Sequence, residues 1–146
     1  MAEYSFKEKT VLNLINEISK IFENIIADHP EMNELSEKTT RLILMQLSSS
    51  DGLTQSQLVK ATHMKGSTVS LAINKMEESG YVVRENNPYD MRSVRVYITR
   101  RGMELSDKIR NTIAEIEENA LKGLTKKDEN NISALLSLIL SNIKNI

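Results

Sequence analysis

The apolar positions of this chain follow two rhythms. Near the N-terminal end Val11, Leu14, Ile15, Ile18, Ile21, Phe22, Ile25 and Ile26 recur three and four residues apart, which predicts an amphipathic helix over about Ser5–Asp28. His29-Pro30 ends it, because the residue before a proline is pushed out of the α region. A second helix is expected after Ser36, an N-cap candidate with Glu37 in the first turn, and Leu42, Ile43, Leu44, Met45 and Leu47 are placed on its buried side. Ser48-Ser49-Ser50-Asp51-Gly52 reads as a loop. Thr54 with Gln57 is a capping-box pattern for a short third helix whose Leu58 and Val59 face inward. After a break at Thr62–Lys65 a fourth helical pattern runs from Gly66 to Ser79, with Val69, Leu71, Ala72, Ile73 and Met76 at buried positions. It stops at Gly80, since glycine accepts the positive φ of a helix C′ position.

The period then drops to two. Tyr81–Glu85 and Ser93–Thr99 read as strands, and Val94, Val96 and Ile98 alternate with Arg95 and Tyr97. Asn86-Asn87-Pro88-Tyr89-Asp90 between them is a turn-forming loop. Thr99 is placed to cap a fifth helix from Arg100 to about Lys122, striped with Leu105, Ile109, Ile113, Ile116 and Ala120. Gly123 breaks it and Thr125 caps a last helix with Ile132, Leu135, Leu136, Ile139, Leu140 and Ile143 on its apolar face. The chain is organised around Leu53–Gly102, where helix, turn, helix and hairpin follow in the order of a winged helix-turn-helix. The expected fold is mainly α with a small β-hairpin wing, an α+β arrangement flanked by amphipathic N- and C-terminal helices.

With 146 residues the chain has the length of one domain and buries a small core. Its 19 basic and 20 acidic residues nearly cancel, so overall charge names no partner. The distribution does. Lys60–Arg101 holds eight Lys or Arg against four Asp or Glu, a net of +4, which leaves 11 against 16 elsewhere. That asymmetry favours an anionic partner at the middle of the chain, against the plainer reading of a solvated basic face. There is no cysteine, which excludes disulfides, thiolate zinc sites and thiol switching. The opening MAEYSFKEKT has no signal-peptide core, no stretch approaches the roughly 18 apolar residues of a membrane span, and a cytoplasmic, membrane-free protein is expected. His29 and His63 lie far apart, and no nucleophile elbow, phosphate-binding glycine loop or metal-spaced histidine cluster is present. The sequence therefore predicts neither an enzyme nor a metal or cofactor site.

The fourth helix is the candidate reader of that partner. Gly66, Ser67, Thr68, Ser70, Asn74 and Lys75, with Lys65 just before them, supply small or hydrogen-bonding side chains and a helix start that favours a phosphate. Ser67 and Thr68 could equally cap the helix, since capping and phosphate contact use overlapping groups. Thr54 and Gln55 at the start of the third helix join the candidate contacts. So do Arg84, Arg92, Ser93 and Arg95 of the hairpin, with Asp90 shaping its loop. A surface turn with a local Asp–Arg pair is the alternative for that loop.

Gly66-Ser67-Thr68-Val69-Ser70, Met76-Glu77-Glu78-Ser79-Gly80-Tyr81-Val82-Val83-Arg84, Asp90-Met91-Arg92-Ser93 and Val96-Tyr97-Ile98-Thr99-Arg100-Arg101-Gly102, in this order, resemble the core of the MarR family of bacterial transcription regulators. The resemblance implies a homodimer binding a pseudo-palindromic DNA operator, usually as a repressor released by a small ligand. It divides the chain into dimerisation helices at residues 1–30 and 124–146, a winged helix-turn-helix over 36–102 and a connecting helix over 100–123. The dimer interface is expected from the apolar stripes, with Val11, Leu14, Ile15 and Ile18 at one end and Ile132, Leu135, Leu136, Ile139 and Ile143 at the other. With thiol and metal switches set aside, an effector is expected to be a small phenolic or carboxylate compound in a cleft between the first, second and fifth helices. Two positions depart from the family pattern: Leu71 stands where a basic residue is common, and Met91 where the wing usually has its first Arg. The rival function is a protein-interaction module that keeps the winged fold without DNA binding.

Overall fold

A computed structural model of the chain describes residues 10–30, 32 and 37–146, apart from the side chains of Met91 and Arg92. The elements are α1 (Val11–Asp28), α2 (Lys38–Ser49), β1 (Leu53–Thr54), α3 (Gln55–Thr62), α4 (Gly66–Glu78), β2 (Val82–Asn87), β3 (Asp90–Ile98), α5 (Arg100–Ala120) and α6 (Lys126–Lys144). They form two compact units, Met1–Thr112 and Ile113–Ile146.

Each described helix start follows from local chemistry. Thr10 caps α1, its hydroxyl accepting the Asn13 N–H at 3.3 Å, so the described helix begins at Val11; the earlier start expected at Ser5 lies outside the described residues. Ser36 also lies outside them, and the N-cap position of α2 is Glu37, which makes no side-chain cap. The capping box predicted at Thr54 is present, with Gln57 N–H to the Thr54 hydroxyl at 3.2 Å and Thr54 N–H to the Gln57 side chain at 2.8 Å. His63 makes the turn after α3 in the left-handed region at φ 56°, a conformation in which histidine is enriched among non-glycine residues.

In the first unit Ile26, Ile43, Leu44, Leu47, Leu58, Val69, Ile73, Met76, Val82, Val96 and Ile109 are fully buried. They come from all five of its helices and both long strands, and α1 contributes only Ile26. Two expected core positions are exposed instead. Met45 in α2 and Leu71 in α4 point outward, because a helix with a run of three or four apolar residues can bury only one side of it. Arg41 in α2 is buried, which its charge did not suggest. Its guanidinium lies 2.5 Å from Glu23 and over the Phe22 ring, so a charge-assisted bond joins α1 to α2.

The expected serine loop shrinks, because α2 continues through Ser49 and the Ser48 and Ser49 hydroxyls bond back to the Met45 carbonyl. After Gly52, two residues of β1 pair with β3, giving a three-stranded antiparallel sheet in the order β1-β3-β2 where a hairpin alone was expected. Asp51 and Gly52 are stitched to β3: Ile98 N–H donates to the Asp51 carboxylate at 2.9 Å, and Arg95 donates to the Gly52 carbonyl at 2.7 Å. The wing tip is also tighter than expected. Asn87 pairs with Asp90 across Pro88-Tyr89, and the Asn87 side chain accepts the Tyr89 N–H at 3.0 Å, an Asx turn that replaces the five-residue loop.

Helix α4 ends in a Schellman motif. Gly80 sits at φ 78°, its N–H bonds to the Glu77 carbonyl, and Tyr81 N–H bonds to the Met76 carbonyl at 2.8 Å. Thr99 then locks this turn to α5. Its hydroxyl donates to the Gly80 carbonyl at 2.6 Å and accepts the Gly102 N–H at 3.1 Å, while its own N–H donates to the Tyr81 carbonyl at 3.0 Å. A Cβ on Gly102 would stand 2.2 Å from the Tyr81 carbonyl oxygen, so glycine here is a requirement of close approach.

In the second unit α5 runs out to Ala120 and Gly123 turns the chain at φ 91°. Thr125 and Asp128 close a full capping box on α6. No residue of α6 is buried, and Ile132, Leu135, Leu136, Leu138, Leu140 and Ile143 are exposed.

Gly102→Ala is expected to destabilise the first unit by at least roughly 1–3 kcal/mol, the range of overpacking against atoms that cannot move. Gly80→Ala, with open space around its Cβ and only the left-handed φ against it, should cost about 1 kcal/mol. Urea unfolding of the two variants checks the order, and an equal or reversed order would contradict the clamp. Hydrogen bonds from the Thr125 backbone and hydroxyl hold the Asp128 carboxyl below its ordinary value of 3.8. Its cap therefore stabilises α6 fully above about pH 4 and loses that contribution as pH falls through the lower folded value. Asp128→Asn should flatten that acid-side loss in thermal melts, and an unchanged pH profile would show that the box contributes nothing.

Candidate nucleic-acid interface

Helix α4 buries Val69, Ala72, Ile73 and Met76 and turns Gly66, Ser67, Leu71, Asn74 and Lys75 to solvent, with Thr68 and Ser70 half-buried at the edges. Its N-cap is Lys65, which makes no side-chain cap. Ser67 and Thr68 lie inside the first turn, so they do not cap the helix. The first N–H groups of α4 have no side-chain cap, and Gly66 has nothing within 4 Å of where a Cβ would stand. A backbone with free donors and no obstructing side chain suits close approach by an anionic oxygen.

The start of α3 lies beside the base of the wing. Thr54, Gln55, Ser56, Ser93 and Val94 line one shallow cleft there. Gln55 reaches across to the Gly66 carbonyl at 3.5 Å, which relates the starts of α3 and α4. Ser56 was not singled out from the sequence, because a serine one residue inside a capped helix carries no motif of its own. The structure thus brings Thr54, Gln55 and Ser93 together, and separately aligns Lys65, Gly66, Ser67, Asn74 and Lys75.

Two hairpin arginines are engaged elsewhere. Arg84 donates to Asn74 at 2.8 Å and to Glu77 at 3.2 Å, and its N–H reaches the other Glu77 oxygen at 3.1 Å, so it ties β2 to α4. Arg95 serves the Gly52 carbonyl at the sheet centre. Of the other hairpin candidates, Asp90 opens β3 at the wing tip opposite Asn87, and the Arg92 side chain lies outside what the structure describes. The tip instead presents Tyr89, 97% exposed, which the turn signal around Pro88 had masked. Lys75 meets Glu37 at 3.8 Å in an exposed pair that solvent weakens. Among the described residues no group of three His, Asp or Glu side chains is placed to hold a metal ion, and no helix is long and apolar enough to cross a membrane.

A two-helix unit with an open second helix and an adjoining three-stranded wing defines the winged helix-turn-helix class of DNA-binding regulators. The sequence comparisons narrow this. Residues 39–93 match the profile described as "MarR family". The chain is 28% identical over 142 residues to the HTH-type transcriptional regulator YkoM of Bacillus subtilis, covering 93% of this chain and 92% of that protein. It is 28% identical to a MarR-family regulator from Silicibacter pomeroyi, whose crystal structure superposes with a TM-score of 0.78 over 90% of this chain and 88% of that one. The fold is also that of BpsR from Bordetella bronchiseptica, a protein whose DNA binding is regulated by 6-hydroxynicotinic acid (TM-score 0.79, 23% identity, 93% of this chain and 96% of that one). Over residues 39–93 the chain thus matches the MarR-family profile, and in sequence and fold it resembles MarR-family transcriptional regulators.

Because Glu77 and Asn74 already hold the Arg84 guanidinium, Arg84→Ala is expected to weaken DNA binding through the position of α4 while leaving its salt dependence unchanged. The cost in stability should stay below about 1 kcal/mol for so exposed a pair. Lys65→Ala should do the converse, lowering the log–log salt slope by about 1 per subunit. Titrations of DNA selected from a random pool at several salt concentrations separate the two. A drop in slope for Arg84→Ala would return that residue to the DNA surface.

Proposed function

We propose that the protein is a homodimeric repressor that binds a pseudo-palindromic operator in the cytoplasm. The observation that carries this reading is α4: a polar, solvent-facing strip behind a start that no side chain caps, next to the Thr54–Ser93 cleft and the wing. In the proposed complex Lys65, Gly66, Ser67, Thr68, Ser70, Asn74 and Lys75 face the major groove, while Thr54, Gln55, Ser93 and Arg92 face the flanking backbone. Two such helices in a dimer would enter successive major grooves about 34–36 Å apart.

The dimer half of the proposal rests on apolar surface. Helix α1 exposes Val11, Leu14, Ile18, Ile21 and Ile25, with Ile15 half-covered. Helix α6 exposes Ile132, Leu135, Leu136 and Ile143, with Ile139 half-covered. Water-exposed stripes of this length are costly on a monomer and fit burial against a second copy. Residues 1–30 and 124–146 are accordingly assigned to dimerisation, and 100–123 to the connection. Release of DNA by a small aromatic carboxylate is the effector reading, supported by the BpsR likeness and by the lack of any cysteine.

Sedimentation should show a dimer at micromolar concentration, and selection from random duplexes should return a two-fold symmetric site. Aromatic acids that raise the melting temperature should also release that duplex. A stable monomer contradicts the dimer, recovery of no preferred duplex contradicts operator binding and favours a protein-interaction module, and stabilising acids that leave DNA binding unchanged contradict the effector.

A further inference from the structure

Leu71 is the one large apolar side chain among the exposed residues of α4, and it is 63% exposed. A single exposed leucine is ordinary on a protein surface. Its direction is not. At 3.6 residues per turn it lies about 150° around the helix from the centre of the strip formed by Val69, Ala72, Ile73 and Met76. Ser67 and Asn74, one turn to either side, share that outermost line. Leu71 is therefore at the middle of the surface the helix presents, with polar neighbours above and below it.

Resting on the operator-binding reading, we propose that Leu71 packs on the C5-methyl group of a thymine, making each half-site discriminate thymine from cytosine at one position. Lys60–Arg101 carries a net charge of +4, which favours the polyanionic duplex as occupant of this face. In the major groove thymine alone offers an apolar group; every other feature of the base edges is a hydrogen-bond donor or acceptor. A leucine pressed on the cytosine amino group would strip its water and return no partner, whereas on a methyl group it removes apolar surface from both sides. Leu71 thus favours T and disfavours C with the same contact.

The test uses duplexes selected by the protein from a random pool, with deoxyuridine placed for each thymine in turn so that a single methyl group is lost. Wild type should bind about fourfold more weakly at one thymine of each half-site and about fifteenfold more weakly when both are replaced, the effect of roughly one methyl contact each. Leu71→Ala, which removes no buried side chain and should melt as the wild type does, should be indifferent to deoxyuridine at that position and still sensitive to base changes elsewhere. Wild type insensitive at every thymine, or Leu71→Ala as sensitive as wild type, overturns the assignment while leaving operator binding intact. If no duplex is preferred at all, operator binding itself fails and this contact fails with it.

Discussion

The junction of Gly80, Tyr81, Thr99 and Gly102 is the constraint on which the winged unit depends. The end of α4, the start of β2 and the start of α5 meet there within one cluster of hydrogen bonds. Gly80 turns the chain out of the helix, which releases the carbonyls of Gly80 and Tyr81, and Thr99 takes both. The Tyr81 side chain is buried beneath them and the Arg101 guanidinium lies over its ring, 5.1 Å from the centroid. Direction follows from this. Helix α4 cannot tilt away from the wing without breaking these bonds, of which the Gly102 N–H to the Thr99 hydroxyl is part-buried, and an unmade bond away from water costs more than a made one contributes. Arg84 adds a second, exposed tie between β2 and α4.

The charge pattern of the sequence overstated the positive strength of the candidate surface. Two of the eight cations between Lys60 and Arg101 are held within the fold, Arg84 by Glu77 and Asn74, and Arg95 by the Gly52 carbonyl. Outward on α4 are Lys65 at its N-cap and Lys75, with hydroxyl, amide and one aliphatic side chain between them and the exposed Glu77 and Glu78 beyond. In the proposed complex such a face relies on fit to base edges more than on attraction to phosphate, and its binding falls less steeply with salt than eight free cations would imply.

Element boundaries and caps were legible where one residue type has one local use. Thr54 with Gln57, Gly80, Thr99 and Thr125 all do what their chemistry predicts. Two of the misses depend on a partner distant in sequence. The strand β1 is two residues long and exists because β3 is there to receive it. Arg41 is buried because Glu23, eighteen residues earlier, neutralises it. Met45 and Leu71 belong to apolar runs that helical period alone cannot divide into inward and outward members. The wing tip closed further than expected because the Asn87 side chain bonds its own backbone two residues on, an alternative that the Pro88 signal concealed. The candidate contacts fared similarly. On α4 Gly66, Ser67, Asn74 and Lys75 are exposed and Thr68 and Ser70 half-buried, whereas the two hairpin arginines could be recognised as ties only once α4 and the sheet stood beside each other.

The Thr99 bond also closes a short loop of chain. It joins residues nineteen apart in sequence, whereas Ile98 to Asp51 spans forty-seven and Arg110 to Ser48 spans sixty-two. The entropy of closing a loop rises with the logarithm of its length, so the short closure comes at the lowest cost. Once α4, the hairpin and the first turn of α5 are joined, the remaining contacts to α2 close over a chain already shortened by the loop between Gly80 and Thr99. The end of α4, the hairpin and the first turn of α5 are in this way held by contacts local in sequence, as are α1 with α2 through Glu23 and Arg41 and α3 with α4 through Gln55, whereas the ties from β3 and α5 back to the end of α2 and the loop after it span far more chain.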